Sequence, residues 1–170
     1  MIRRFYVHNF RCLENFELPI AGQSSVLLIG KNGSGKTTVG MALEVLQKIG
    51  RGTNRVGDLV KPKDFAGGRT DVPMRFEIEI ELEGKNYEYV IAFELPAGFK
   101  ELRVLDEKFT VGGTPVYSRE IAQVRLASRE ASALGKSDPR LLSKTDPGDL
   151  AGFRRTRSCI SFRTGFPRDR

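Results

Sequence analysis

Residues 26–40, VLLIGKNGSGKTTVG, set four aliphatic residues directly before a glycine-rich segment with two lysines. An unbroken aliphatic run of strand length suits a strand covered on both faces, as in a parallel sheet. Val39, Leu43, Leu46 and Ile49 then recur at helical spacing, and Gly50 stands where a helix would stop. Strand, flexible turn and amphipathic helix in that order restrict the fold to an α/β type. The turn itself reads Gly30-Lys-Asn-Gly-Ser-Gly35-Lys36-Thr37, which matches G-x-x-x-x-G-K-[ST] in the context that separates a phosphate loop from chance. Glycines let successive N–H groups turn toward one centre, and the first helical turn adds unpaired donors and the positive end of its dipole. We therefore expect Gly30, Asn32, Gly33, Ser34, Gly35, Lys36, Thr37 and Thr38 to hold a nucleoside triphosphate. Lys36 would charge-stabilise the β- and γ-phosphates, and the Thr37 hydroxyl would ligate Mg²⁺.

Around that segment the periodicity changes several times. Residues 2–18 read as two short strands, with Ile2, Phe5, Val7 and Phe10 between Arg3, Arg4 and His8, then Phe16 and Leu18. Residues 50–73 are polar and glycine-rich, and a helical turn is expected at RVGDLV because long structureless loops are uncommon in compact domains. From about 74 to 118 the period is two. Phe76, Ile78, Ile80 and Leu82 alternate with Glu77, Glu79, Glu81 and Glu83, and further runs follow glycine turns, which predicts an antiparallel meander with one wet face. IAQVRLASREASAL, from residue 121, fits a strand ending in a helix or a single helix.

Charge divides the chain of 170 residues. Residues 1–135 carry 19 Lys and Arg against 17 Asp and Glu, whereas residues 136–170 carry 9 against 4. The net charge of +7 thus belongs mostly to the tail, and the domains are expected as a globular body, 1–135, and a basic, disordered tail, 136–170. Basic residues there alternate with Phe162 and Phe166, a pattern that can pair with phosphates and stack on bases. No apolar run reaches the ~18 residues of a membrane-spanning helix, and no secretory h-region follows the basic N-terminus. Cys12 and Cys159 stand in no metal-ligand spacing. A cytoplasmic location without membrane association is expected, with both thiols as bystanders.

The order RRFYVHNFRCLENFEL, VLLIGKNGSGKTT and then an antiparallel β-subdomain resembles the N-terminal lobe of ABC-type, AAA-like P-loop ATPases, over residues 1 to about 120. It is most similar to the RecF, SMC and OLD-nuclease branch, where an NFR segment ends the first strand. The resemblance implies an α/β lobe with a parallel-strand and helix core beside the meander, ATP and Mg²⁺ as cofactors, and an ATPase that sandwiches ATP between two nucleotide domains, hence a possible homodimer and possible DNA as partner. It also implies that Arg11 approaches the nucleotide. The family's hydrolytic motifs are not matched. Gln23, Gln47 and Gln123 sit in no persuasive Q-loop, no LSGGQ-like signature occurs, and the only histidine, His8, lies on an early strand. LRVLDE, ending at Asp106 and Glu107, resembles a Walker B strand but continues into the meander, so a solvated strand face is the preferred assignment and the catalytic base stays unassigned. Together with the loss of apolar periodicity after about residue 130, this predicts the front half of a longer ATPase, truncated or continued in another reading frame. A small P-loop kinase, or a nucleotide-binding fragment whose basic tail binds nucleic acid, are the alternatives.

Overall fold

In a computed structural model describing residues 1–127, the chain builds one antiparallel sheet. The strands are β1 (Ile2–His8), β2 (Phe16–Pro19), β3 (Met74–Leu82), β4 (Lys85–Glu94), β5 (Arg103–Val111), β6 (Thr114–Glu120) and β7 (Gln123–Leu126), in the order β2-β1-β3-β4-β5-β6-β7. The helices α1 (Lys36–Gly50) and α2 (Val56–Leu59), with short 3-10 turns at Pro62–Asp64 and Ala66–Gly68, lie between β2 and β3 in the chain. Met1–Leu126 form a compact unit. The expected boundary at residue 135 and the basic tail lie outside the described residues.

Period two is what builds this sheet. Phe76 and Ile78 of β3 face the same side as Val7 and Phe5, their partners on β1, while Glu77 and Glu79 face the other side with Tyr6 and Arg4. On the inner side, Val39, Ala42, Val45 and Leu46 of α1 are buried in one core with Phe5, Val7, Phe76, Ile91 and Phe93. Phe76 sits at its centre, edge-on to Phe10 at 5.2 Å and to Phe93 at 6.1 Å between ring centroids, a geometry that adds attraction beyond burial. Leu43 and Ile49, expected in the helix's buried stripe, are only partly buried, and Ala42 and Val45 take the inward positions. The turn predicted at RVGDLV is α2, and β3 turns tightly into β4 through Glu83 and Gly84, both at positive φ.

The outer face is held by ion pairs. Arg4 Nη1 donates to Glu77 at 2.8 Å, and Arg75 Nε donates to the other Glu77 oxygen at 2.6 Å while Arg75 Nη1 reaches Asp106 at 3.3 Å. Partial burial alone would raise the Glu77 pKa, but hydrogen bonds from Arg75 and Arg4 outweigh it and hold the carboxyl below its usual value. A depressed carboxylate stabilises the folded state above its unfolded pKa, near 4.5, and that contribution is lost as pH falls through the folded value. We expect Glu77→Gln to lower stability by about 1 kcal/mol at pH 7 and to flatten the acid limb below about pH 4.5, measured by urea unfolding across pH. Parallel curves for wild type and variant would refute this.

One expectation fails. The aliphatic run Val26–Ile29 belongs to no strand among the described residues, and Leu27 and Ile29 are 81% and 86% exposed. A parallel neighbour requires a strand returning in the same direction after a crossover. Here α1 leads through α2 into β3, which joins an antiparallel ladder against β1. The expected parallel-strand and helix core is therefore replaced, among the described residues, by a seven-stranded antiparallel sheet carrying one long helix. The alternating β and α units of a small P-loop kinase are likewise not found among them.

Candidate functional site

The glycine loop sits between the unpaired aliphatic run and α1. Gly33 (φ +83°) and Gly35 (φ +90°) both adopt left-handed conformations, which side chains oppose sterically. Gly35 is also crowded from below. A Cβ there would come 3.1 Å from Cys12 Sγ and 3.4 Å from Leu13 Cδ2. At Gly30 a Cβ would stand 2.7 Å from Ser34 Oγ, so a side chain there would have to displace the Ser34 hydroxyl. The loop therefore rests on the β1–β2 turn, and Cys12 Sγ also contacts Thr38 Oγ1 at 3.4 Å.

Lys36 closes the ring. Its Nζ donates to the carbonyls of Gly30 at 2.5 Å and Lys31 at 2.7 Å, with Ser34 Oγ at 3.4 Å. Inside the loop, Ser34 N–H donates to Lys31 O at 3.2 Å, and Val39 N–H begins the helical ladder on Gly35 O. The N–H groups of residues 36–38, at the start of α1, have no intrahelical acceptor, as at any helix start. Lys36 and Thr38 are half-buried and the Thr37 side chain is exposed. The loop and the first turn of α1 thus gather an ammonium group, free helix-start amides and two hydroxyls in one short exposed stretch of chain, donor types suited to an oxyanion. Among the described residues, no group of three or more His, Cys, Asp or Glu could hold a metal by itself.

Arg11 is engaged by Asp64. Its Nη2 pairs with the buried Asp64 at 2.9 Å, its backbone N–H donates to Asp64 O, and its guanidinium carbon lies 5.7 Å from the Phe10 ring centroid. The NFR segment thus ties the 60–72 region to the end of β1. Asn9, fully buried, donates through Nδ2 to the carbonyls of Arg69 and Val72. His8 Nδ1 accepts from Asn15 N–H at 3.3 Å across the β1–β2 turn. Asp106 and Glu107 project from opposite faces of β5. Asp106 pairs with Arg75, and Glu107 Oε1 accepts from Tyr89 OH at 2.8 Å and Tyr117 OH at 2.7 Å. Burial first, then Glu107 through its charge and its hydrogen bonds, push both tyrosine hydroxyls well above their ordinary pKa. That carboxylate is committed to the meander, three strand spacings, or roughly 14 Å, along the sheet from β1.

A model of the AAA ATPase domain matches residues 1–145. The chain belongs to the AAA ATPase domain family. That membership makes it a P-loop nucleoside triphosphatase domain. Over 46 residues the chain is 41% identical to an OLD nuclease of Thermus scotoductus (strain ATCC 700910 / SA-01), a match covering 27% of this chain and 8% of that protein. Cys12 and Leu13 are the part of the site that sequence reasoning missed. They stand more than twenty residues before Gly35 in the chain, and only the fold of the β1–β2 turn brings them under the loop. No helix among the described residues is long and apolar enough to cross a membrane.

Proposed function

We propose that this AAA ATPase domain binds Mg-ATP at a Walker A loop formed by Gly30 to Thr38. The carrying observation is the ring that Lys36 closes with the Gly30 and Lys31 carbonyls across two left-handed glycines. It holds a cation beside the free amides of α1, where a phosphate chain would lie. In this arrangement the amides and Lys36 would bind and neutralise the β- and γ-phosphates, and Thr37 Oγ1 would supply a ligand to the accompanying Mg²⁺. Asp106 and Glu107 are engaged in the meander, so hydrolysis in this proposal takes its base from outside the described residues. A second nucleotide domain closing over the loop, as in the RecF, SMC and OLD-like branch, would also exclude water from it. The exposed Val26–Ile29 run supports the same picture. Aliphatic on both faces and unpaired, it is built to lie between parallel strands supplied by the remainder of such an ATPase.

Calorimetric titration with ATP, with and without Mg²⁺, tests this assignment. Saturable binding that tightens on adding Mg²⁺ is expected. Thr37→Ala should keep metal-free binding and lose about tenfold of the Mg²⁺ increment, the ~1.4 kcal/mol of a single ligand contact. Identical Mg²⁺ dependence in both proteins would remove Thr37 from the metal, and no heat in the wild type would overturn the proposal.

A further inference from the structure

The glycine loop is braced from beneath by residues far from it in the chain. Gly35 is buried although Gly30 to Ser34 before it are exposed. A Cβ on Gly35 would stand 3.1 Å from Cys12 Sγ and 3.4 Å from Leu13 Cδ2. The Cys12 sulfur also lies 3.4 Å from Thr38 Oγ1, on the first turn of α1. One thiol thus reaches both the last glycine of the loop and a hydroxyl at the helix start.

The turn that carries this thiol is pinned along its length. Phe10 N–H donates to Leu13 O at 3.1 Å, Leu13 N–H donates to Phe10 O at 2.8 Å, and both side chains are buried in the core. Arg11, between them, holds φ +54° and donates its backbone N–H to Asp64 O at 2.6 Å. The Cys12 backbone is therefore held where its side chain reaches α1. Cys12 itself is exposed, so changing it leaves the core intact.

The direction of the sulfur–oxygen bond follows from the strengths of the groups. A thiol is a weak donor and a weak acceptor, whereas a threonine hydroxyl is competent as both. With an oxyanion at the helix start, the strongest acceptor takes the stronger donor. The Thr38 O–H then turns to the anion, and its oxygen is left to accept from the Cys12 S–H. A chain from S–H to O–H to anionic oxygen is polarised in one sense, so each bond strengthens the next. We propose that Cys12 is a positioning residue of the nucleotide site, which acts through Thr38 Oγ1 to aim that hydroxyl at a phosphate oxygen of bound Mg-ATP. The thiol touches no ligand and undergoes no reaction in this assignment. It rests on the Mg-ATP reading above and adds to it a residue outside G-x-x-x-x-G-K-[ST].

Calorimetric titration of Mg-ATP across a double-mutant cycle tests it. Cys12→Ala is expected to weaken binding about fivefold, the value of one neutral hydrogen bond. Cys12→Ser, which restores a donor, should stay within about twofold of wild type. Thr38→Val should cost about tenfold, as for a hydrogen bond to a charged acceptor. Cys12→Ala/Thr38→Val should bind no worse than Thr38→Val alone, where independent effects would multiply to roughly fiftyfold. That multiplied loss would overturn the proposal, since the thiol would then support the loop without Thr38. Cys12→Ser as weak as Cys12→Ala, or Cys12→Ala within twofold of a wild type that binds, would also overturn it and leave the Mg-ATP reading standing. No binding by the wild type would overturn that reading, and the role of Cys12 with it.

Discussion

Lys36→Ala is expected to remove about four-fifths of the thermal stabilisation that Mg-ATP gives the wild-type chain while leaving the free protein's melting temperature nearly unchanged. The two halves of this expectation rest on different contacts. Without nucleotide, the Lys36 ammonium is bonded to Gly30 O and Lys31 O, but those residues are exposed, and water can replace a lost donor at little cost. With nucleotide bound as proposed, the same ammonium would face the phosphates, and charge-assisted hydrogen bonds of this kind are the strong ones. Removing it should weaken ATP by about 100-fold, or ~2.7 kcal/mol. At a concentration 100 times the wild-type Kd, ligand stabilises the wild type by about 2.7 kcal/mol and such a variant by only about 0.4. With roughly 4 °C per kcal/mol, the shifts are about 10 °C and 2 °C. Lys36→Arg should not rescue, because a planar guanidinium fork cannot enter a ring closed at 2.5 and 2.7 Å. Equal ligand-induced shifts in wild type and Lys36→Ala would dispose of the Walker A assignment.

What was legible in the sequence follows from how local each signal is. Alternation in MRFEIEIEL places every residue of β3 on its face without reference to anything distant, and the pairing of β3 with β4 and β1 obeys it. The glycine loop is equally local, since its positive φ values, ring closure and helix start involve eight consecutive residues. Val26–Ile29 is the opposite case. Four aliphatic residues in a row state that both faces want cover, but pairing depends on neighbours that the segment does not encode, and none of the described strands takes that place. Arg11 and Asp64 were opaque for a related reason. Their pairing joins residues 53 positions apart, and nothing in NFR or KPKD announces it. The same distance hid Cys12, whose packing under Gly35 is a property of the β1–β2 turn and not of any motif.

The NFR segment also yields the largest stability effect we expect, at Asn9. This residue is fully buried at φ +54°, a conformation that costs most side chains about 1 kcal/mol and that asparagine tolerates. Its Nδ2 donates to Arg69 O at 3.0 Å and Val72 O at 2.6 Å, and its own carbonyl accepts from Ala66 N–H at 3.3 Å. One amide side chain therefore anchors the 66–72 segment to the end of β1. Asn9→Ala strips the donor from two carbonyls and adds backbone strain, for an expected loss of about 3–4 kcal/mol. Asn9→Gly removes the same bonds but suits the positive φ, so it should be milder by about 1 kcal/mol. Asn9→Asp is near-isosteric yet should be the worst of the three, because it turns a carboxylate toward two carbonyl oxygens in a buried site. Urea denaturation read by circular dichroism would rank them Gly, Ala, Asp in increasing damage. If Asp proved as mild as Gly, the Nδ2 bonds would not be what holds the segment, and the anchoring would have to come from the backbone bonds Ala66 N–H to Asn9 O and Arg11 N–H to Asp64 O together with the Arg11–Asp64 pair.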